Sequence, residues 1–414
     1  MNPWAWRERW FHAIAVAALC SSIGLAQQPG GPSIDGVYQG TLGKQEIVLE
    51  VGAAVRKSAE PPTMPYFVGR YFYRRYGVAI LLQGEPLKDG SIRLREYQGE
   101  KETGSQWRLT FHGNQAAGTF CKCDIGGLGG EKEGVKITLT RVSQGFDPDL
   151  EWKNGQKQPD MAYYDLLVGF PLQAGHEIRV TQDMAYEIQN DPRFKVGMPH
   201  LTQFPDAAVM ERVNEDLARE FKVDRIWVAD CLVGGALGGS YEEKIDATVF
   251  TREVFSVVKE SFSFCGGAHP NGETSTLAYN MRTGKSFRLY GLLDDEVHPD
   301  KPNKYAAYRH PLSRVLTDLY LRHYVLPDGL TTEECDEALG VEEEGKSRLL
   351  PAFGSWPDTV VFLKKDGLVI SPVLPHAIQG CGPEVTVPYG EVLPLLTKNG
   401  LLRTMIQSVK ESGK

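Results

Sequence analysis

The sequence predicts an α+β protein. An N-terminal all-β meander, curling into a small barrel or curved sheet, precedes an antiparallel-sheet α+β domain with two main helices. Three observations predict it. Residues 34 to 142 alternate apolar and polar side chains with period 2 and show no helical period. Later, Val209, Met210, Val213, Leu217 and Phe221 recur at three- and four-residue steps, the spacing of one helix face. The 44 glycines and 25 prolines among 414 residues call for many turns, while 42% apolar and 24% charged residues are ordinary for a folded chain. A chain this long exceeds a single core, so more than one domain is expected.

Residues 1–26 read as a signal peptide. Arg7 and Arg9 form the basic region, Ala13 to Leu19 the apolar run, and Gly24-Leu25-Ala26 the small-residue cleavage site. The run is short for a bilayer span, which takes roughly 20 apolar residues. The expected location is therefore secreted or periplasmic, after cleavage near Ala26.

An all-β module occupies residues 30–143. Its strand-like stretches, such as "QEIVLEV", "SIRLREYQ" and "GVKITLT", are separated by Gly, Asp-Gly, Asn or Pro turns, and closing such a meander hides its edges. The run Gly126 to Gly130 lacks the lysine and strand-helix setting of a phosphate loop and reads as a hairpin loop. Residues 144–160 are a linker. There Asp147, Asp149 and Glu151 are spaced like calcium ligands, but Trp152 stands where that loop needs glycine.

The remaining domain spans residues 161–410. Strands are expected in "YYDLLVGFP" and "HEIRVTQDMAYEIQ", and a helix starts at Pro205-Asp206. Further strands are expected in "RIWVADCLV", "KIDATVFTREVFSVVKESFSF" and "TSTLAYNMRTGKSFRL". A second helix near "YAAYRHPLSRVLTDLYLRHYV" is interrupted by Pro311, and the end alternates again.

The formal net charge of −8 leaves no broad basic face for nucleic acid, although Arg70, Arg74 and Arg75 form a local basic patch. In an oxidising compartment the cysteines beyond the signal peptide favour disulfides. Cys231 and Cys265 lie in neighbouring segments, as do Cys335 and Cys381, which suggests those pairs. Cys121 and Cys123 share one strand face and suit either a local bridge or half of a metal site, and no second Cys/His pair at zinc spacing accompanies them. No metal and no cofactor is expected.

The stretch "FCGGAHPNGETSTLAYNMRTGKSFRL", residues 264 to 289, carries the strongest candidate site. Its glycines and Pro270-Asn271-Gly272 suit a strand reversal, and Thr283-Gly284-Lys285 suits the next hairpin. His269 is a general base in one reading, with Asp294 or Asp295 as its partner after the following strand. In a second it is structural, a turn histidine that hydrogen-bonds backbone and packs, and in a third it is an exposed ligand contact beside Pro270, Asn271 and Glu273. The aromatic segment "YFVGRYFYRRYG" offers Tyr71, Tyr73 and Tyr76 to sugar rings, or places alternate aromatics in a core.

These same residues carry a resemblance. "SFSFCGGAHPNGETSTLAYNMRTGKSFRLYGLL" resembles the signature of the DUF3298 family, with its Gly-Gly-Ala-His turn, Tyr-Asn strand and Thr-Gly-Lys. "FLKKDGLVISPVLPHAIQGCGPEVTVPYGEVLPLL" looks like that family's closing strands, and residues 161 to 250 look like the DUF4163 domain that commonly precedes it. In the family this pair accompanies a polysaccharide deacetylase domain, or forms the extracellular part of a lysozyme-sensing anti-sigma factor. The chain departs from both: it shows no His-x-x-x-His metal set and no second hydrophobic span with a cytoplasmic part. The resemblance implies a cell-envelope protein that recognises peptidoglycan or an enzyme attacking it, such as lysozyme. His269, Asn271, Glu273 and Tyr389 are its exposed candidates. Two other readings stay open, an envelope hydrolase around His269, Asp294 and Asp295, and an assembly partner docking through the β module.

Overall fold

The structure, a computed structural model, describes residues 34–54, 66–98, 101–122, 134–145, 162–233, 239–266, 269–297, 311–331, 335, 359–374 and 376–412. The signal segment, Cys123, the Gly126–Gly130 run and the calcium-like spacing in the linker lie outside these residues.

Eight antiparallel strands come first: β1 (Gly36–Leu42), β2 (Gln45–Ala54), β3 (Tyr66–Tyr73), β4 (Ile80–Pro86), β5 (Ile92–Gln98), β6 (Lys101–His112), β7 (Gln115–Lys122) and β8 (Val135–Ser143). Each pairs with the next, and β8 returns to β1, so the sheet closes into a barrel and leaves no edge. Alternation in the sequence becomes alternation between lumen and outside. In β5, Ile92, Leu94 and Glu96 are buried while Arg93, Arg95 and Tyr97 are not. The lumen is filled by Tyr38, Leu49, Tyr71, Leu94, Trp107 and Leu139, among others, so it is a packed core. Gly118 marks a point where the strands press close, since a Cβ there would meet the Arg108 carbonyl oxygen at 1.8 Å.

One outer flank of the barrel is covered. Val37, Val48 and Phe72 pack against Tyr163, Tyr164 and Leu167 of helix α1 (Ala162–Val168). Arg70 fixes this contact: its guanidinium lies 4.2 Å from the ring centre of Tyr163 and 4.6 Å from that of Tyr164. It also donates to Glu50 at 2.7 Å and to the Tyr164 hydroxyl at 3.0 Å.

Strands β9 (Ile178–Thr181), β10 (Met184–Asp191) and β11 (Val196–Gln203) form one sheet, and the 27-residue helix α2 (Ala207–Val233) follows. Asp206 caps α2, accepting from the Ala208 and Val209 amides. A four-stranded sheet comes next, β12 (Ser240–Phe250), β13 (Val254–Phe264), β14 (Asn271–Asn280) and β15 (Lys285–Phe287), with α2 across one face. Helices α3 (Leu289–Val297) and α4 (Pro311–His323), strands β16 (Thr359–Leu363), β17 (Gly367–Pro372) and β18 (Val385–Pro388), and helices α5 (Tyr389–Val392) and α6 (Leu401–Ser412) complete the fold around a second core.

The architecture is the α+β arrangement the sequence predicts, with corrections to individual elements. Residues 225–233 continue α2 rather than forming a strand. The apolar stripe is broken at Arg225, which is buried because its guanidinium reaches Asp191 and the Phe170 carbonyl. Residues 162–168 are helical, with Tyr163, Tyr164, Leu167 and Val168 buried at helical spacing. Pro311 opens α4 instead of interrupting it, as a residue without an N–H can do at a first turn. Helix α6 was not expected, although Leu402, Met405, Ile406 and Val409 carry its period.

The expected disulfides Cys231–Cys265 and Cys335–Cys381 are present, with Cα atoms 4.4 and 5.1 Å apart. Cys121 is also disulfide-bonded.

Candidate functional site

The hairpin of β13 and β14 sets the geometry of the signature stretch. Its register pairs Ser263 with Asn271, Ser261 with Glu273, and Lys259 with Ser275. On the other side of β13, Tyr241 pairs with Ser263, Glu243 with Ser261, and Ile245 with Lys259. Because side chains alternate along a strand, all of these point to one face, the face that carries α2. Three short rows result, each about 10 Å wide across three strands.

Helix α2 supplies the wall. Asp224 accepts from the Lys259 ammonium at 2.6 Å. One turn further on, the Trp227 ring is 40% exposed and lies 5.7 Å from the Tyr241 ring, edge to face. A further turn on, Cys231 is bonded to Cys265, so a covalent link holds the end of the helix against the end of β13. Gly239 permits the return into β12: a Cβ there would meet the Cys231 carbonyl oxygen at 1.9 Å.

Carboxylates outnumber cations in this corner. Tyr241 donates its hydroxyl to Glu243 at 2.6 Å, and the Gly197 amide donates to the same carboxylate at 2.9 Å. Burial still pushes the Glu243 carboxyl up from its ordinary value, against both of those bonds. Burial opposes the charge on Lys259, but Asp224, Glu243 and Glu273 around it hold its ammonium above the ordinary range. Asn271 and Glu273 are exposed at the outer strand of the row. The corner thus joins an open indole, an amide, a free-edged carboxylate, serine hydroxyls and one ammonium on a cross-linked frame. Such a set can stack on an apolar ring face and hydrogen-bond the hydroxyls around it.

The other sequence candidates fall as follows. His269 is exposed in the turn between β13 and β14. Helix α3, which bears Asp294 and Asp295, starts beyond the opposite end of β14, after β15 pairs with Ala278 to Asn280. A ten-residue strand is about 30 Å long. Asp295 is exposed, and its neighbour Glu296 is a helix cap, accepting from the Leu402 and Arg403 amides at the start of α6. Tyr389 is 3% exposed and donates its hydroxyl to the Lys364 carbonyl, so it cannot offer its ring to a ligand. Tyr71 is 1% exposed inside the barrel, where its hydroxyl donates to Glu96; the lumen position in β3 buries it. Tyr73 is half-buried beside it, and Tyr76 is 55% exposed at the barrel rim. Arg70 from the basic patch serves the contact with α1 instead of an outside partner.

Sequence reading missed Trp227, Tyr241, Asp224 and Lys259. Trp227 and Asp224 become visible only when α2 is continued through Arg225, since the strand assigned to residues 225–233 gives Trp227 a different direction. Among the described residues, no group of three or more His, Cys, Asp and Glu side chains could hold a metal ion. Nor is any helix among them long and apolar enough to cross a membrane.

No family model matches the sequence, and no curated protein matches it. The chain is similar to two solved structures described as DUF3298 family proteins. One, from Bacteroides fragilis NCTC 9343, is 15% identical, with 58% of this chain and 98% of that chain covered at a TM-score of 0.33. The other, from Pseudomonas aeruginosa PAO1, is 14% identical, with 56% of this chain and 97% of that chain covered at a TM-score of 0.32. Both bear the family name that the Gly-Gly-Ala-His turn and its following strand suggest.

Proposed function

We propose that this protein is a binding protein of the bacterial cell envelope that recognises cell-wall glycan through the corner formed by α2 and the β13–β14 hairpin. The observation that carries the reading is the exposed Trp227 ring against Tyr241, on the same disulfide-anchored sheet face as Lys259, Asn271 and Glu273. Disulfides persist in oxidising compartments, and the two fully described ones fit a secreted or periplasmic location. The division into a β module at 30–143, a linker and an α+β domain at 161–410, the latter with a DUF4163-like first part, is proposed with it.

A second reading has its own support. Asp224, Glu243 and Glu273 outnumber Lys259 at this corner, a balance that suits the basic face of a secreted enzyme such as lysozyme.

The test is retention of the purified protein on insoluble peptidoglycan, with soluble lysozyme as a parallel arm. Retention on the glycan is expected, and Trp227→Ala is expected to weaken it about tenfold, the cost of one lost ring stack. Capture of lysozyme alone, lost in the same variant, would favour the second reading. No retention in either arm contradicts both.

A further inference from the structure

The same helix carries a second concavity that the proposed corner does not use. A groove of about 420 Å³ lies between the first half of α2 and the β14–β15 hairpin, lined by Arg212, Glu215, Asp216, Arg219, Lys285 and Ser286, with Gly284 at its base. The hairpin closes onto the helix because Gly284 takes φ +71°, a left-handed conformation, and carries no side chain. A Cβ there would approach the Arg212 Cβ and the Val209 carbonyl to 3.1 Å. The turn therefore brings Lys285 and Arg212 into the lining of one groove.

Charge in the groove is unevenly spent. Arg219 is paired with Asp216 one turn away on α2. Arg212 and Lys285 have no ion-pair partner among the described residues and are exposed. Two unengaged cations from different elements thus face one hollow, with the Ser286 hydroxyl and the Glu215 carboxylate at its rim. A guanidinium forks onto carboxylate or phosphate oxygens, an ammonium adds a point charge, and the rim groups suit hydroxyls.

The geometry points to this groove as a binding site for a small anionic sugar, its carboxylate or phosphate held by Arg212 and Lys285 and its hydroxyls by Ser286 and Glu215. This goes beyond the Trp227 corner and rests only in part on the envelope reading. Arg212, Asp216, Arg219 and Trp227 follow one another at four-, three- and eight-residue steps, so they lie along one side of α2. Arg212 and Trp227 are about 22 Å apart along the axis. An acidic oligosaccharide can meet both places at once.

The experiment is calorimetric titration of the purified protein with glucuronate, glucose 6-phosphate and glucose. An acidic sugar is expected to bind at least about tenfold more tightly than glucose, and Arg212→Gln and Lys285→Gln are each expected to weaken it about tenfold. Thermal unfolding should be unchanged, because neither side chain is buried or paired. Binding of glucuronate alone assigns the groove to sugar acids, and of glucose 6-phosphate alone to phosphorylated sugars; either supports the inference. Saturation by neither, equal binding of glucose, or binding indifferent to both variants overturns it. Trp227→Ala should leave this titration untouched, so the groove stands or falls separately from peptidoglycan retention.

Discussion

Glu96 and Glu273 both lie in antiparallel strands, yet their surroundings differ. Glu96 is 6% exposed in the barrel lumen and accepts from Tyr71, Thr103 and Trp107, the last at 3.1 Å. Glu273 is exposed on β14, whose first residues pair with no further strand among the described residues, since β15 pairs only with Ala278 to Asn280. Closure of the barrel turns Glu96 onto partners within the lumen. The open end of the four-stranded sheet leaves polar atoms and an indole facing outward. Glu96 is thus held by partners inside its own barrel, whereas Glu273 is left exposed for the ligand proposed above.

This contrast can be broken at either end. Trp107→Ala should have the largest effect, destabilising the fold by about 3–5 kcal/mol, because it empties a fully buried site and removes a donor from Glu96. Chemical denaturation measures it, and a loss below about 1 kcal/mol would mean the lumen is less tightly packed than its burial indicates.

Glu243→Gln should have a smaller effect, with a sign that depends on pH. Burial raises the folded carboxyl above its ordinary value, so its stabilising contribution is present at pH below about 4.5 and is lost as pH rises through the folded value. Glutamine carries no such dependence. The variant should match the wild type in acid and be more stable at pH 7 by a few tenths to about 1 kcal/mol, as followed by thermal unfolding across that range. A variant less stable at pH 7 than in acid, relative to the wild type, would show that the Tyr241 and Gly197 bonds outweigh the burial.

Much of the fold was legible because its dominant signal is local. Period-2 stretches between turn residues announced the eight strands, and the two disulfide pairs followed from the neighbourhood of their segments. The site was legible only on its strand side. Asn271 and Glu273 stood out beside the glycine-rich turn, whereas Trp227 and Asp224 depended on carrying α2 past Arg225. That step requires knowing that Asp191, fully buried on β10, waits to receive the guanidinium. Such a partner is 34 residues distant in sequence, beyond any periodicity. Tyr71 failed as a ligand candidate for a related reason: an aromatic residue in an alternating strand looks the same whether its face is lumen or surface.

The most direct test of the account is amide hydrogen exchange of the purified protein with and without soluble peptidoglycan fragments. The account predicts new protection in the second half of α2 around Trp227 and in the first residues of β14, with the barrel strands unchanged. Protection confined to the barrel, or absent from both segments while the fragments are bound, would contradict it.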